Sequence, residues 1–388
     1  MMNSSISRRN FIKKSSIGVS AIALGTRGAA KGFPANEKVQ LGWIGIGRRC
    51  TGLMKHMNKS TGHRTVAVCD LKPDRIEVGK KIMAKDKPKG YKDFRKMMEN
   101  EKMDAILVAT EPNNHAPLVI PVLEAGYHCF AEKPMDTTVE KVDAIVKTAR
   151  KAKGFYQIGT QRRYSPSYLK AMPIILSGKI GKITFMQGQY HWTWITAKLD
   201  GERDGWGLVE QACHHMDIMC WAMGEKQPIT CVSMGYNQLN NPPKTFRESH
   251  SATAFKFPDG QIFSYTHLFH LPYHFQDEKL WVICEKAGID LPAGMMFWRA
   301  EHKKENPNEK IAEASGKDWG TGQVDQLIDF VDNIKTGGKR IPNANVETGR
   351  ISTMMSIMGR TAMIDFEKNA FEPRVIKWKD LGSSTDKG

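Results

Sequence analysis

The sequence predicts an α/β protein in two parts, a parallel, doubly wound sheet with crossover helices followed by an α+β domain on a large, mainly antiparallel open sheet. Three observations predict it. A chain of 388 residues, 40% of them apolar, exceeds what one hydrophobic core usually serves. Between about residues 39 and 159, short apolar runs alternate with amphipathic stretches, as parallel strands and crossover helices do. After Gln161 the runs lengthen and fill with aromatic and β-branched residues, the mark of antiparallel strands.

Taken in order, strands are expected at residues 40–46, 65–70, 104–110, 128–132 and 155–158, with helical patterns between them at about 51–58, 74–85, 91–100, 114–125 and 138–153. Gly126 and Gly154 stand where helix C-termini favour glycine. The second part carries strands at 183–194, 230–236, 251–257, 262–270 and 279–284 and helices at 165–176, 207–222, 323–336 and 346–368. The resulting division is a leader over 1–30, a parallel-sheet domain over 38–160, a second domain over 161–375 and a polar tail over 376–388. There is no internal repeat.

The leader is a separate object. Ser7-Arg8-Arg9-Asn10-Phe11-Ile12-Lys13 places paired arginines ahead of an apolar run from Ile17 to Leu24 and the small residues Ala29-Ala30, which reads as a twin-arginine export signal cleaved after Ala30 or Ala35. The run is too short to span a bilayer comfortably, and no cysteine is placed for a lipid anchor. A soluble periplasmic or otherwise exported protein is expected. Of the formal charge of +16, five charges (Arg8, Arg9, Lys13, Lys14, Arg27) belong to the leader, so the mature chain keeps +11. Its lysines and arginines are scattered rather than interleaved with aromatics, which argues against a nucleic-acid partner. Seven cysteines, an odd number without metal-type spacing, read as small buried residues.

The first strand runs into Gly45-Ile46-Gly47-Arg48-Arg49-Cys50. Two glycines let the backbone turn tightly and approach a pyrophosphate at a helix N-terminus, with Cys50 where a third small residue is needed. The next strand ends at Asp70, where a carboxylate can accept from the adenosine ribose hydroxyls. Strand, glycine turn, helix, strand and acid in this order make a Rossmann dinucleotide site, and a free 2′-hydroxyl implies NAD. Lys72 and Arg75 would tolerate a 2′-phosphate, so NADP is the lesser reading. Thr110-Glu111-Pro112-Asn113-Asn114-His115 and Glu132-Lys133-Pro134 follow two further strands, at the edge where such sheets bind ligands. An ammonium beside a pyridinium is destabilised, which would suit Lys133 to proton exchange with an alcohol. By residue pattern alone a surface lysine is the simpler reading.

Together, Gly45-Ile46-Gly47, Asp70, the 110–115 segment, Glu132-Lys133-Pro134 and the stretch 210–217 resemble the Gfo/Idh/MocA family of glucose-fructose oxidoreductase and inositol dehydrogenase relatives, over about residues 39–371. The resemblance implies that Lys133 contacts the substrate hydroxyl near the nicotinamide, and that Thr110, Asn113, Asn114, His115 and Glu132 join Ile46, Arg48 and Arg49 around the cofactor. The family's Asp-x-Gly-x-His-x-x-Asp signature reads here Glu210-Gln211-Ala212-Cys213-His214-His215-Met216-Asp217, which makes His214 the catalytic histidine. Glutamate for aspartate and alanine for glycine are departures. Four residues apart on a helix, Glu210 and His214 would share a face, and the carboxylate would orient the imidazole and raise its proton affinity. His215 would point elsewhere, as a packed or surface residue.

Arg162, Arg163 and Tyr164, the run Tyr190-His191-Trp192-Thr193-Trp194 and Asp217 are candidate substrate contacts, since aromatics beside polar groups suit a sugar ring. Alternate members of the run would be core. Trp206 and His274-Phe275-Gln276 are weaker candidates. The expected reaction is oxidation or reduction of a secondary hydroxyl of a sugar or glycoside, C3 being the specific guess, with a cofactor carried out bound because a periplasm offers no free NAD. One alternative is an NAD-dependent glycoside hydrolase acting by transient C3 oxidation and elimination, although the Tyr-Pro-Thr-His stretch of the N-acetylgalactosaminidase branch is missing. A redox-silent sugar-binding protein is the other. The family also hints at a homo-oligomer formed through the open sheet face.

Overall fold

In the first half of the chain, apolar residues alternate along each strand between two opposite cores, so the sheet is buried on both faces. The strands are β1 (Val39–Ile44), β2 (His63–Cys69), β3 (Lys89–Tyr91), β4 (Ala105–Val108), β5 (His128–Ala131) and β6 (Tyr156–Ile158), all parallel, in the order β3-β2-β1-β4-β5-β6. The connections carry α1 (Arg48–Met57), α2 (Pro73–Ile82), α3 (Phe94–Asn100), α4 (Ala116–Glu124) and α5 (Val139–Lys151). Leu41 and Trp43 of β1, Leu107 of β4 and Phe130 of β5 face one core with Leu53 and Met54 of α1. Ile44, Ile106, Val108 and Cys129 face the other with Val119 of α4 and Ile145 of α5. Strand β3 was not expected, because Lys89-Gly90-Tyr91 has neither an apolar run nor alternation; only pairing with Ala67, Val68 and Cys69 makes it a strand.

This computed structural model describes residues 37–193, 207–236, 250–269, 271–314, 322–369, 372–382 and 384–385. The expected leader with its cleavage points Ala30 and Ala35 lies outside the described residues, as do Trp194 and Trp206.

After β6 come α6 (Pro166–Leu176), β7 (Ile183–His191), α7 (Gly207–Glu210), α8 (Cys213–Ala222), β8 (Thr230–Tyr236), β9 (His250–Lys256), β10 (Ile262–Leu268), β11 (Asp277–Cys284), β12 (Ala287–Asp290), β13 (Met295–Trp298), β14 (Glu309–Lys310), α9 (Gln323–Lys335), α10 (Val346–Lys368) and β15 (Ile376–Lys377). The second sheet runs β14-β13-β12-β11-β7-β10-β9-β8-β15 and is antiparallel except where β7 pairs with β10. One face buries Met186, Tyr190, Phe263, Tyr265, Leu280 and Val282 in the core that also takes Met216 of α8 and Met355 of α10. On the other face Phe185, Ile262, Met234 and Phe297 remain exposed.

Two sets of contacts cross the expected domain limits. Leu327, Phe330, Val331 and Ile334 of α9 join the core of the first sheet, Phe330 meeting Phe130 and Phe155 edge-on at 5.8 and 5.3 Å. The second set belongs to residues 376–388. Strand β15 pairs with β8, Trp378 is buried, and Ser384 and Thr385 donate to the buried carboxylate of Asp143 on α5 at 2.6 to 2.8 Å. A buried carboxylate is costly without donors, and the tail supplies them.

Candidate active site

The carboxyl ends of β1, β2, β4, β5 and β6 meet the start of α8, and the functional side chains gather there. Gly45 has φ +84°, and a Cβ on it would lie 2.4 Å from the Thr110 methyl, so neither the conformation nor the space admits another residue. Gly47 begins α1 without a side-chain cap, and no acid stands in the first turn. The leading amides of that helix therefore face forward with no internal acceptor, as a pyrophosphate requires. Asp70 accepts from the Ile46 amide at 2.7 Å and the Lys72 amide at 2.9 Å, which fixes its carboxylate beside the turn. Arg75 donates to the Ile46 carbonyl at 3.2 Å. Cys50 is fully buried beneath the turn, its thiol pushed far up by burial, and so packs as the small residue the position needs. These residues fit a dinucleotide.

Among the other expected cofactor contacts, Arg48 and Asn114 are exposed, and Thr110 packs on Gly45. Asn113 gives its carbonyl to Lys141 at 2.7 Å. His115 is fully buried, and its Nδ1 donates to the Pro134 carbonyl at 2.9 Å. It supports the Lys133-Pro134 turn from beneath. Arg49 and Glu132 form an ion pair at 2.7 Å.

Lys133 donates from Nζ to the Glu210 carbonyl at 2.6 Å. The stretch expected as one helix is broken: α7 ends at Glu210, Gln211 and Ala212 form a turn, and α8 starts at Cys213. Glu210 and His214 therefore do not share a continuous helical face, and His214 Nδ1 has no hydrogen-bond partner among the described residues. The expected rise in proton affinity is also reversed. Burial, followed by the positive charges of Lys133, Arg162 and Arg49, holds the His214 imidazole well below the ordinary histidine range. It is neutral at neutral pH, a proton acceptor. His215 is packed, tilted on Tyr265 at 5.2 Å and edge-on to Tyr190 at 5.8 Å.

The candidate substrate contacts divide. Arg162 pairs with Glu278 of β11, while its Nη1, also buried, has no partner among the described residues. Trp192 is half-buried against Tyr190 at 5.4 Å. The rest make internal contacts. Arg163 donates from Nε to both oxygens of Asp217 at 2.9 Å and from Nη1 and Nη2 to Glu225 at 2.6 and 3.0 Å, so the pair is spent on internal bonds. Tyr164 is buried and donates to Asp329 of α9 at 3.1 Å. Tyr190 is wholly buried and stacked on His267 at 5.4 Å. The period of two along β7 then sends His191 to the opposite, open face, where Nε2 bonds Thr266 at 2.8 Å. His274, Phe275 and Gln276 form or follow a short exposed turn, where Gln276 accepts from Thr193 at 3.2 Å.

Asp136 escaped the sequence reading. It is fully buried and accepts from the Ala116 amide at 2.9 Å and the Thr137 amide at 2.6 Å, locking the start of α4 to the segment after Lys133. An acid two residues beyond Lys133-Pro134 was the available signal. Gln161 accepts from Arg49 at 2.5 Å, a contact no sequence spacing discloses.

Comparison with known proteins points to the same fold. Residues 39–160 match the model of an oxidoreductase family with an NAD-binding Rossmann fold, and residues 168–290 match the GFO/IDH/MocA C-terminal domain. The chain belongs to the Gfo/Idh/MocA family. Its relatives include a glycosyl hydrolase family 109 protein of Shewanella amazonensis, 28% identical over 52% of this chain and 50% of that protein. Another is the myo-inositol 2-dehydrogenase of Thermotoga maritima, 28% identical over 48% of this chain and 56% of that one. The chain thus spans about half the length of these relatives. The fold is shared with the myo-inositol 2-dehydrogenase of Lactobacillus plantarum (TM-score 0.71, 22% identity, 88% and 99% of the two chains). It is shared too with the myo-inositol dehydrogenase of Lactobacillus casei in complex with NAD(H) and myo-inositol (TM-score 0.71, 17% identity, 88% and 97%).

Proposed function

We propose that this Gfo/Idh/MocA member oxidises or reduces a secondary hydroxyl of a sugar or glycoside with NAD, C3 being the position we favour. One observation carries the reading. Lys133 Nζ is anchored on Glu210, four residues before His214, and Lys133 is the strongest charge acting on that histidine, so a cation and a neutral base meet at one helix start. The dinucleotide, when bound, supplies a nicotinamide that takes up hydride from the carbinol carbon. The chain's own residues do the rest. Lys133 holds the substrate oxygen, the neutral His214 imidazole takes its proton, and the unpartnered Nη1 of Arg162 is a donor for a neighbouring oxygen. In the reductive direction the same groups return the proton.

The leader over residues 1–30 supports export through the twin-arginine route, and with it a cofactor bound before export and retained as a prosthetic group. No described helix is long and apolar enough to cross a membrane. Exposed Phe185, Ile262, Met234 and Phe297 on the open sheet face support a second copy of the chain as its cover. The test is mass spectrometry of what co-purifies with the folded protein, followed by nicotinamide absorbance with a panel of methyl glycosides. A protein with no bound dinucleotide and no spectral change with any sugar would remove the proposal.

The kinship with glycosyl hydrolase family 109 proteins favours a second reading, hydrolysis through transient oxidation at C3. Oxidation acidifies the neighbouring C–H, the leaving group is eliminated, water adds and the carbonyl is reduced back, so no net NADH forms. Nitrophenol release from aryl glycosides without accumulated NADH separates it from the first.

A further inference from the structure

Arg49 stands in the first turn of α1, beside the glycine turn, yet its side chain grips the far strands. Nε donates to Glu132 Oε1 at 2.7 Å and Nη2 to Gln161 Oε1 at 2.5 Å, so one guanidinium holds the residues just past β5 and β6 together. The Glu132 side chain is 4% exposed and that of Arg49 34%, so the anchor is buried while the cation stays partly exposed. Glu132 Oε2 also accepts from the Lys133 amide at 3.3 Å. Its carboxylate lies on Gly159, where a Cβ would come within 3.0 Å of it. The residues that follow the two anchors are Lys133 and Arg162, the two cations of the proposed substrate cleft. A forked, charge-assisted bond of this kind fixes direction as well as distance.

We propose that Arg49 is a positioning residue that couples occupancy of the glycine turn to the placement of Lys133. A pyrophosphate at the start of α1 brings negative charge beside the same guanidinium that Glu132 holds, so the two anions compete for it. Any change in the hold on Glu132 passes to Lys133 through the bond between the carboxylate and the Lys133 amide. Proximity alone does not show coupling, so the test measures it. The inference rests on the reading of Lys133 as the substrate-facing amine.

The experiment follows acetylation of Lys133 by peptide mass spectrometry in the full chain, loaded with NAD and stripped of it, for the wild type, Arg49→Met, Arg49→Lys and Glu132→Gln. Loading is expected to change the wild-type rate several-fold. Arg49→Met should lose that change while still taking up NAD by mass, and Arg49→Lys, which keeps the charge but not the fork, should restore part of it. Should Arg49→Met fail to fold or to take up NAD, Glu132→Gln must show the same loss. A NAD-dependent change that persists in Arg49→Met or Glu132→Gln, or that is absent from the wild type, overturns the inference. If the labelling behaves as expected but no glycoside reduces the cofactor, the proposed reaction fails and the coupling stands.

Discussion

Arg163 and Asp217 are joined inside the protein, the Nε of one 2.9 Å from both carboxylate oxygens of the other, with each side chain 1% exposed. Arg163 follows β6 and Asp217 lies on the helix that carries His214, so this pair ties the exit of the first sheet to that helix. Glu225 and the Asn343 carbonyl take the remaining donors on Nη1, and the Asn343 side chain returns a bond to the Arg163 carbonyl at 2.7 Å.

Removing one partner leaves a buried charge uncompensated. Arg163→Met should therefore destabilise the fold by about 3–5 kcal/mol. Glu225→Gln should cost roughly 1 kcal/mol, because that side chain is 33% exposed and water replaces much of what is lost. Urea unfolding of the two variants measures both; equal losses would mean that burial does not set the difference.

The two glycines of the turn should fail differently. Gly45→Ala meets a positive φ costing about 1–2 kcal/mol and a crowded Thr110 costing roughly 1–3 kcal/mol more. A Cβ at Gly47 meets only Arg75, at 3.7 Å, so Gly47→Ala should fold normally and lose bound dinucleotide instead. Thermal melts beside cofactor content distinguish a folding defect from a binding defect, and a Gly47→Ala protein that retains full cofactor would contradict this placement.

Lys133→Ala and His214→Ala should each lower turnover by about 10²–10⁴-fold while the dinucleotide remains bound, since neither residue contributes to the glycine turn. The double variant should lose little more than either single one, because the two handle one proton. Single-turnover cofactor reduction with the best glycoside is the measurement, and additive losses would show separate roles.

Acid should destabilise this protein through its histidines. Burial pushes His267 down to about 3, and His214, His215 and His115 are depressed as well, all by burial first. The folded state keeps these rings neutral, whereas the unfolded chain protonates them below about 6.5. Their contribution is whole above that value and is lost as pH falls below it toward the folded values, by about 1.4 kcal/mol per pH unit for each ring. His267→Phe should flatten the slope of stability between roughly pH 6 and 4 by one proton. An unchanged slope would exclude His267 as a contributor.

The sequence by itself determined the parallel sheet, the glycine turn and the acid at Asp70, because each depends on local conformation and short spacing, whereas the pairing of Lys133 with a histidine segment was implied only by the family resemblance. Strand alternation and a glycine at a tight turn are properties of a few consecutive residues. What only the tertiary structure decided was which way side chains face and what they touch. The break between Glu210 and Cys213 turned the expected carboxylate–imidazole pair into a carbonyl anchor for Lys133 and a His214 whose Nδ1 has no hydrogen-bond partner among the described residues. Arg163, Tyr164 and Asp217 resemble substrate contacts in sequence, and their side chains make internal bonds because Asp217, Glu225 and Asp329 arrive from distant segments to meet them. The packing of α9 on the first sheet joins residues some two hundred positions apart in sequence. Burial, the physical cause in each case, is set by the whole chain, and no window of sequence contains it.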